Sequence, residues 1–135
     1  MNQITFNIHE QCSVLLPISL HSICGNYLQE FIRRPHGCDF HQILLVTQGE
    51  GILECQGETI PLKRGCAFYT APQVPVSYYS THGMVVAFLT AIGTGLDQLT
   101  AHYNCKDFLF RIISDPDKMC SDIEAITDAY YSYTR

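Results

Sequence analysis

Between His41 and Tyr79 the chain alternates short hydrophobic runs with turn residues. The runs are HQILLVTQ, GILEC, ETIPL and CAFYT, with VSYY as a fifth behind a pair of prolines. Gly49-Glu50-Gly51 reads as the break between the first two runs. Gln56-Gly57 reads as a two-residue hairpin connection, because glycine takes the positive φ that such turns need. Arg64-Gly65 separates the third run from the fourth, and Pro72 and Pro75 bracket the last turn, since proline is not accommodated inside a central strand. Short strands at this spacing predict an all-β sandwich or barrel. Upstream, Ile4–His9 alternates as an edge strand would, and Pro17 interrupts LPISLHSIC. Downstream, Met84–Leu89 predicts a last strand that is apolar on both faces.

The period changes after Gly95. Thr94 is a candidate helix cap, with Asp97 in the first turn and Leu96, Leu99 and Tyr103 on one face. Phe108, Leu109, Ile112 and Ile113 suit a second short helix. Asp115-Pro116 predicts the start of a last helix reaching to near Tyr133, with a capping side chain ahead of proline at the first helical position. In that helix Met119, Ile123, Ile126, Tyr130 and Tyr133 are spaced four, three, four and three. This is the narrow seam of helices that pair, and it predicts a homodimer through Met119, Ile123, Ile126 and Tyr130. A helix laid on the barrel's outer wall is the alternative. The expected architecture is mainly β with C-terminal helices: a barrel over 1–93, then two or three α-helices over 94–135 in the same compact domain.

The order of these features is a hydrophobic strand, G-E-G, a strand, a Q-G hairpin, P-L-K-x-G, an aromatic strand and A-P-x-x-P-V-x-Y. It resembles the small cupin barrel (double-stranded β-helix). More narrowly it is similar to the N-terminal effector-binding and dimerisation domain of AraC-type transcription regulators. QEFIRRPHG and LPISL fit that subgroup, and the resemblance runs from about Leu15 to Leu99.

Cupin enzymes hold a metal with two His, one Glu and a later His. On that pattern Gln42 stands at the Glu and Val76 at the last His, with His36 and Cys38 near the first pair. Valine cannot coordinate and a neutral amide is a poor ligand, so neither metal nor cofactor is expected. If Gln42 points inward, strand alternation turns Leu44 and Val46 inward with it, and Val76 carries Tyr78. Leu53 and Cys55 join them while Glu54 faces water, and His41 faces away from Gln42. Tyr69 shares a face with Ala67, but alternation does not say which. In similar domains the segment bearing Glu30 and Arg34 folds along the pocket mouth, where an arginine could hold a carboxylate or a sugar hydroxyl. The candidate ligand-binding set is therefore Glu30, Arg34, Gln42, Leu44, Val46, Tyr69, Val76 and Tyr78. A barrel filled by its own side chains is the alternative.

Composition narrows the function classes. The chain has 135 residues, enough for one domain with a core, and 47% of them are hydrophobic, which argues against disorder. The formal charge of -5 comes with only eight Lys and Arg, scattered along the chain. That argues against this piece gripping nucleic acid by itself. Seven cysteines, an odd number without a CxxC pair, read as buried reduced thiols. The run Met84–Ile92 is too short to cross a bilayer and the N-terminus lacks a secretory pattern, so a cytoplasmic protein is expected. No nucleophile elbow, phosphate loop or paired-carboxylate motif stands out, and an enzyme is not expected.

The resemblance implies the ligand-sensing domain of an AraC-family regulator. It would bind a sugar or other small metabolite and so control DNA binding by a C-terminal helix-turn-helix domain beyond Arg135. The alternatives are a stand-alone cupin enzyme, a metal-dependent oxygenase or isomerase, or a metabolite-binding cupin with no DNA partner.

Overall fold

The computed structural model describes residues 4–5 and 18–134, with the side chains of residues 4–5 and 130–134 outside the description. Among the described residues, eight strands and two helices follow in the order β1 Ile4–Thr5, β2 Ser19–Leu28, β3 Ile32–Arg34, β4 His41–Cys55, β5 Glu58–Lys63, β6 Cys66–Thr70, β7 Val76–Ile92, α1 Thr94–His102, β8 Phe108–Ile112 and α2 Pro116–Thr134. The strands pair antiparallel in the order β1-β2-β7-β4-β6-β8, with β3 added to β7 and β5 to β4. Of the expected edge strand Ile4–His9, residues 4 and 5 are described, and they pair with β2. Residues 6–9 and the stretch up to Pro17 lie outside the described residues.

Two long strands carry the rest. β4 pairs with β7 from His41↔Ala91 to Cys55↔Val76, with register shifts between Val46 and Gly51. The sequence reading of Gly49-Glu50-Gly51 as a break between strands is therefore corrected: it is an irregularity inside one continuous strand. Gly49 has φ 74°, and a methyl group there would strike the carbonyl oxygens of His82 and Gly83. At Gly51 a methyl would strike the Tyr79 carbonyl and the Met84 sulfur. Glycine is used because the two backbones approach closely where the ribbon bends. The shift also flips the inward parity of β4, from Gln42, Leu44 and Val46 before the bend to Leu53 and Cys55 after it. Both sets enter one core with Phe68, Val76, Tyr78, Met84 and Val86.

The turns beyond the bend follow the expected chemistry. Gln56 and Gly57 both have positive φ, 52° and 77°, and join Cys55 to its partner Glu58. Glycine at the second position makes this two-residue connection inexpensive.

The C-terminal region departs from expectation in three places. Residues 108–112 form strand β8 on the edge of β6 and not a second helix, so the segment 94–135 also contributes to the sheet. Phe108 and Phe110 pack against the core while Leu109 and Arg111 lie on the opposite face with their partners Tyr69 and Ala67. Burial of two phenylalanines at period two outweighs the weaker helical spacing of 108, 109, 112 and 113. At α1, Gly93 occupies the cap position and Thr94 is already helical, with Asp97 in the first turn as expected. At α2 the expected start holds, the Lys118 amide donating to Asp115 Oδ1 at 3.1 Å ahead of Pro116.

The third departure is the α2 seam. Ile123 is buried against Ile23 and Ala87 of the sheet, with Cys120 beside it and its thiol donating to the Gly25 carbonyl at 3.3 Å. Ile126, less than one turn on, is 45% exposed at the flank of the docked face, next to the buried Thr127. The seam is thus divided: Ile123 docks α2 on its own sheet and does not face a partner. Met119 is half-buried, and the Tyr130 side chain lies outside the described residues. The six described cysteines are free, and among the described residues no helix is long and apolar enough to cross a membrane.

The bend and the hairpin give a matched test. Gly57→Ala meets open space and only a positive φ, so it should cost about 1 kcal/mol. Gly49→Ala adds a backbone collision and should cost more than about 3 kcal/mol. Urea midpoints at unchanged m-value measure both. Equal losses would show that the close approach at Gly49 does not constrain the bend.

Candidate functional site

The alternation of β4 and β7 brings three polar side chains together at the inner face, near β3. Arg34 lies at the end of β3, opposite Val76. Its Nη1 donates to Gln42 Oε1 at 2.8 Å, and Gln42 Nε2 donates to the Tyr78 hydroxyl at 2.8 Å. Gln42 and Tyr78 are both buried. Burial pushes the Tyr78 phenol up, against a smaller downward pull from Arg34 and the Gln42 hydrogen bond. Tyr78 is therefore neutral at physiological pH, and its own proton has no acceptor among the described residues. Arg34 lies over the Phe40 ring, 5.7 Å from its centroid, and has no carboxylate partner among the described residues.

These groups line a cavity of about 170 Å³. Its far wall comes from β2 and the end of β7. His21 Nδ1 lies 3.0 Å from the Thr90 hydroxyl, which also bonds Ser22. The His21 ring stacks on Phe40 at 4.3 Å. Tyr27, Ile32 and Phe88 supply the apolar part. Acceptor oxygens of a small ligand would meet the free donors of Arg34 and the Tyr78 proton, while its carbon skeleton would meet the aromatic rings. The mixture of apolar wall and a few directed polar groups is that of a small-molecule site.

The structure thus unites Arg34, Gln42 and Tyr78 of the candidate set and separates the others. Leu44, Val46 and Val76 are buried in the packed core, outside the cavity lining. Glu30 is exposed and contributes a backbone carbonyl to the Gln29 amide rather than a side chain to the cavity. Tyr69 is a correction. It sits on the outer face of the sheet, because β6 pairs Tyr69 with Ile43 and so fixes the parity that the sequence leaves open. There its hydroxyl lies 2.6 Å from His41 Nδ1, and His41 Nε2 lies 2.6 Å from Asp97 Oδ1 on α1. Tyr69 donating to Nδ1 and Nε2–H donating to the carboxylate satisfies all three groups. Thr90, Ser22 and His21 are absent from the sequence-derived set. Thr90 had a signal: it is a polar residue in the apolar run Met84–Ile92, in step with Val86 and Phe88. His21 had none.

A model of the AraC-like ligand binding domain matches residues 23–101, more than half of the chain. The chain belongs to the AraC-like ligand-binding domain family. Among solved structures, this AraC-like domain resembles an apo variant of ToxT from Vibrio cholerae, with TM-score 0.54 and 16% identity over 85% of this chain and 48% of that one. It also resembles YhaK from Escherichia coli, with TM-score 0.58 and 12% identity over 84% of this chain and 51% of that one. A third is ToxT bound to (E)-4-(8-methylnaphthalen-1-yl)but-3-enoic acid, with TM-score 0.54 and 9% identity over 87% and 49%. At these identities the likeness shows the fold, a cupin-like barrel. The chain spans about half the length of these structures. A search of curated proteins finds no match.

The donors at the inner site decide what it can hold. Gln42 is engaged by a guanidinium, which repels a metal cation, and Val76 offers no donor atom. We expect elemental analysis of the purified domain to find less than one-tenth of an iron, zinc, manganese or nickel per chain. One equivalent of any of them would restore the enzyme reading.

Proposed function

We propose that this domain senses a small carboxylate- or hydroxyl-bearing metabolite in the cavity at Arg34, Gln42 and Tyr78. Occupancy would govern DNA binding by a helix-turn-helix domain on the same polypeptide, in the cytoplasm. The observation that carries the reading is the chain from half-buried Arg34 through buried Gln42 to buried Tyr78, whose remaining donors face a cavity inside a domain of this family. The volume of about 170 Å³ is below the 300–1,000 Å³ usual for drug-sized ligands. It favours a short molecule. ToxT, which has the same fold, is bound to a butenoic acid in one structure and to an unsaturated fatty acid in another, and both ligands are carboxylic acids. A non-enzymatic role agrees with a site made of a guanidinium, an amide and a neutral phenol, with no paired acid and base.

A thermal-shift screen of short carboxylates and sugars tests the reading, since a ligand of the native state raises its melting temperature. Arg34→Ala should weaken a carboxylate hit by at least roughly tenfold, the scale of one charge-assisted hydrogen bond. Gln42→Leu should weaken it by a similar factor. A hit whose affinity is unchanged in both variants places the effector site elsewhere.

Dimerisation is part of the same proposal, now through the exposed flank of α2 that bears Ile126. In sedimentation the parent is expected as a dimer and Ile126→Glu as a folded monomer. Ile123→Glu should instead lose cooperative unfolding, because it puts a charge against Ile23 and Ala87. A parent that sediments as a monomer at high micromolar concentration refutes the dimer.

A further inference from the structure

The outer face of the sheet carries a second hollow that the inner cavity does not explain. The pairings of β7, β4, β6 and β8 align Leu89, Ile43, Tyr69 and Leu109 in one row. Helix α1 stands over this row with Leu96 and Leu99 toward it, and the space between is about 520 Å³. The depth comes from small residues, Ala67 and Ala91, in the floor. The polar groups of the floor make no demand on a ligand, because His41, Tyr69 and Asp97 satisfy one another. At the mouth, Leu99 is 46% and Tyr103 70% exposed, so an apolar opening stands in water.

One cation borders this apolar space. Arg111 lies on the same face as Leu109, in register with Ala67. Its guanidinium donates to the neighbouring Phe110 carbonyl at 2.7 Å and meets no carboxylate among the described residues. A volume within the usual range for ligand sites, apolar walls and a single unpaired guanidinium at the edge together specify a ligand chemistry.

We propose that the outer hollow is a second ligand site, for an amphipathic anion whose alkyl or aromatic body lies between the sheet and α1 and whose carboxylate pairs with Arg111. The site is separate from the inner cavity and does not depend on what that cavity binds. The two are back to back: His41 faces the hollow and Gln42 the cavity from adjacent positions of β4.

Calorimetric titration of the whole chain with sodium dodecanoate, below its micellar concentration, tests this, with dodecan-1-ol and butyrate alongside. The expected result is one dodecanoate per chain, dodecan-1-ol at least roughly tenfold weaker and butyrate without measurable heat. Arg111→Ala should bring dodecanoate down to the level of dodecan-1-ol and leave dodecan-1-ol unchanged. Leu99→Glu, at an exposed rim position that tolerates charge, should weaken dodecanoate without lowering the melting temperature. No binding of dodecanoate at millimolar concentration overturns the proposal. So does equal binding of acid and alcohol with no effect of Arg111→Ala. Loss on Arg34→Ala in place of Arg111→Ala would put the chain in the inner cavity. If Leu99→Glu converts a dimer to a monomer and dodecanoate does not bind, the hollow is an interface between copies, and the proposal is equally refuted.

Discussion

The antiparallel pairing of β4 with β7, held from His41↔Ala91 to Cys55↔Val76, is the constraint on which the other elements depend. Four strands are hung directly on this ribbon, and β1 and β8 extend the sheet through β2 and β6. β6 and β2 flank the half that begins at His41 and ends at Ile92, and β5 and β3 flank the other. The ribbon encloses a core only because it bends, and the bend is possible only where Gly49 and Gly51 let β4 lie against the backbone of residues 79–83. A single local requirement for missing side chains therefore has a long-range effect. It decides which residues of β4 face inward on either side of it, and so which of them reach the ligand cavity.

Alternation along β4 places two different polar systems on adjacent residues. Gln42 looks inward, between Arg34 and Tyr78. His41 looks outward, between Tyr69 and Asp97. Both are buried, and both are hydrogen-bonded at each of their two side-chain polar atoms, as buried polar groups must be if they are not to cost stability. The inner system leaves donors free toward a cavity and the outer one leaves none. This difference, more than burial or position, separates a group that can recognise a ligand from one that fastens α1 to the sheet.

What the sequence reveals depends on whether the deciding contact is local. The Gln56-Gly57 turn and the Asp115-Pro116 helix start are settled within four residues, and both are legible. So is the inward set of Gln42 and Tyr78, because alternation needs only one anchor on each strand. Gly49-Glu50-Gly51 is misread because a turn and a bulge use the same residues. Only the path of β7, some thirty residues on, tells them apart. Tyr69 has no legible face because every residue of Cys66–Thr70 is buried and no polar position marks the outside. Ile123 is ambiguous for a related reason: spacings of three and four suit a helix pair and a helix on a sheet alike. The Thr90, Ser22 and His21 wall is joined across a sequence separation of nearly seventy residues, and no local pattern announces it.

Strand β8 closes one side of the described sheet, and its shortness has a consequence for how the domain meets its neighbours. A row of unpaired amides and carbonyls on a sheet edge is a template on which another extended chain can continue the ladder. Here that row is five residues long and carries Arg111 within it. An incoming strand would gain only a few main-chain hydrogen bonds and would have to desolvate a guanidinium alongside them. The edge thus resists open-ended growth of the sheet from molecule to molecule, and contacts formed through helix faces or ligand hollows meet little competition from it.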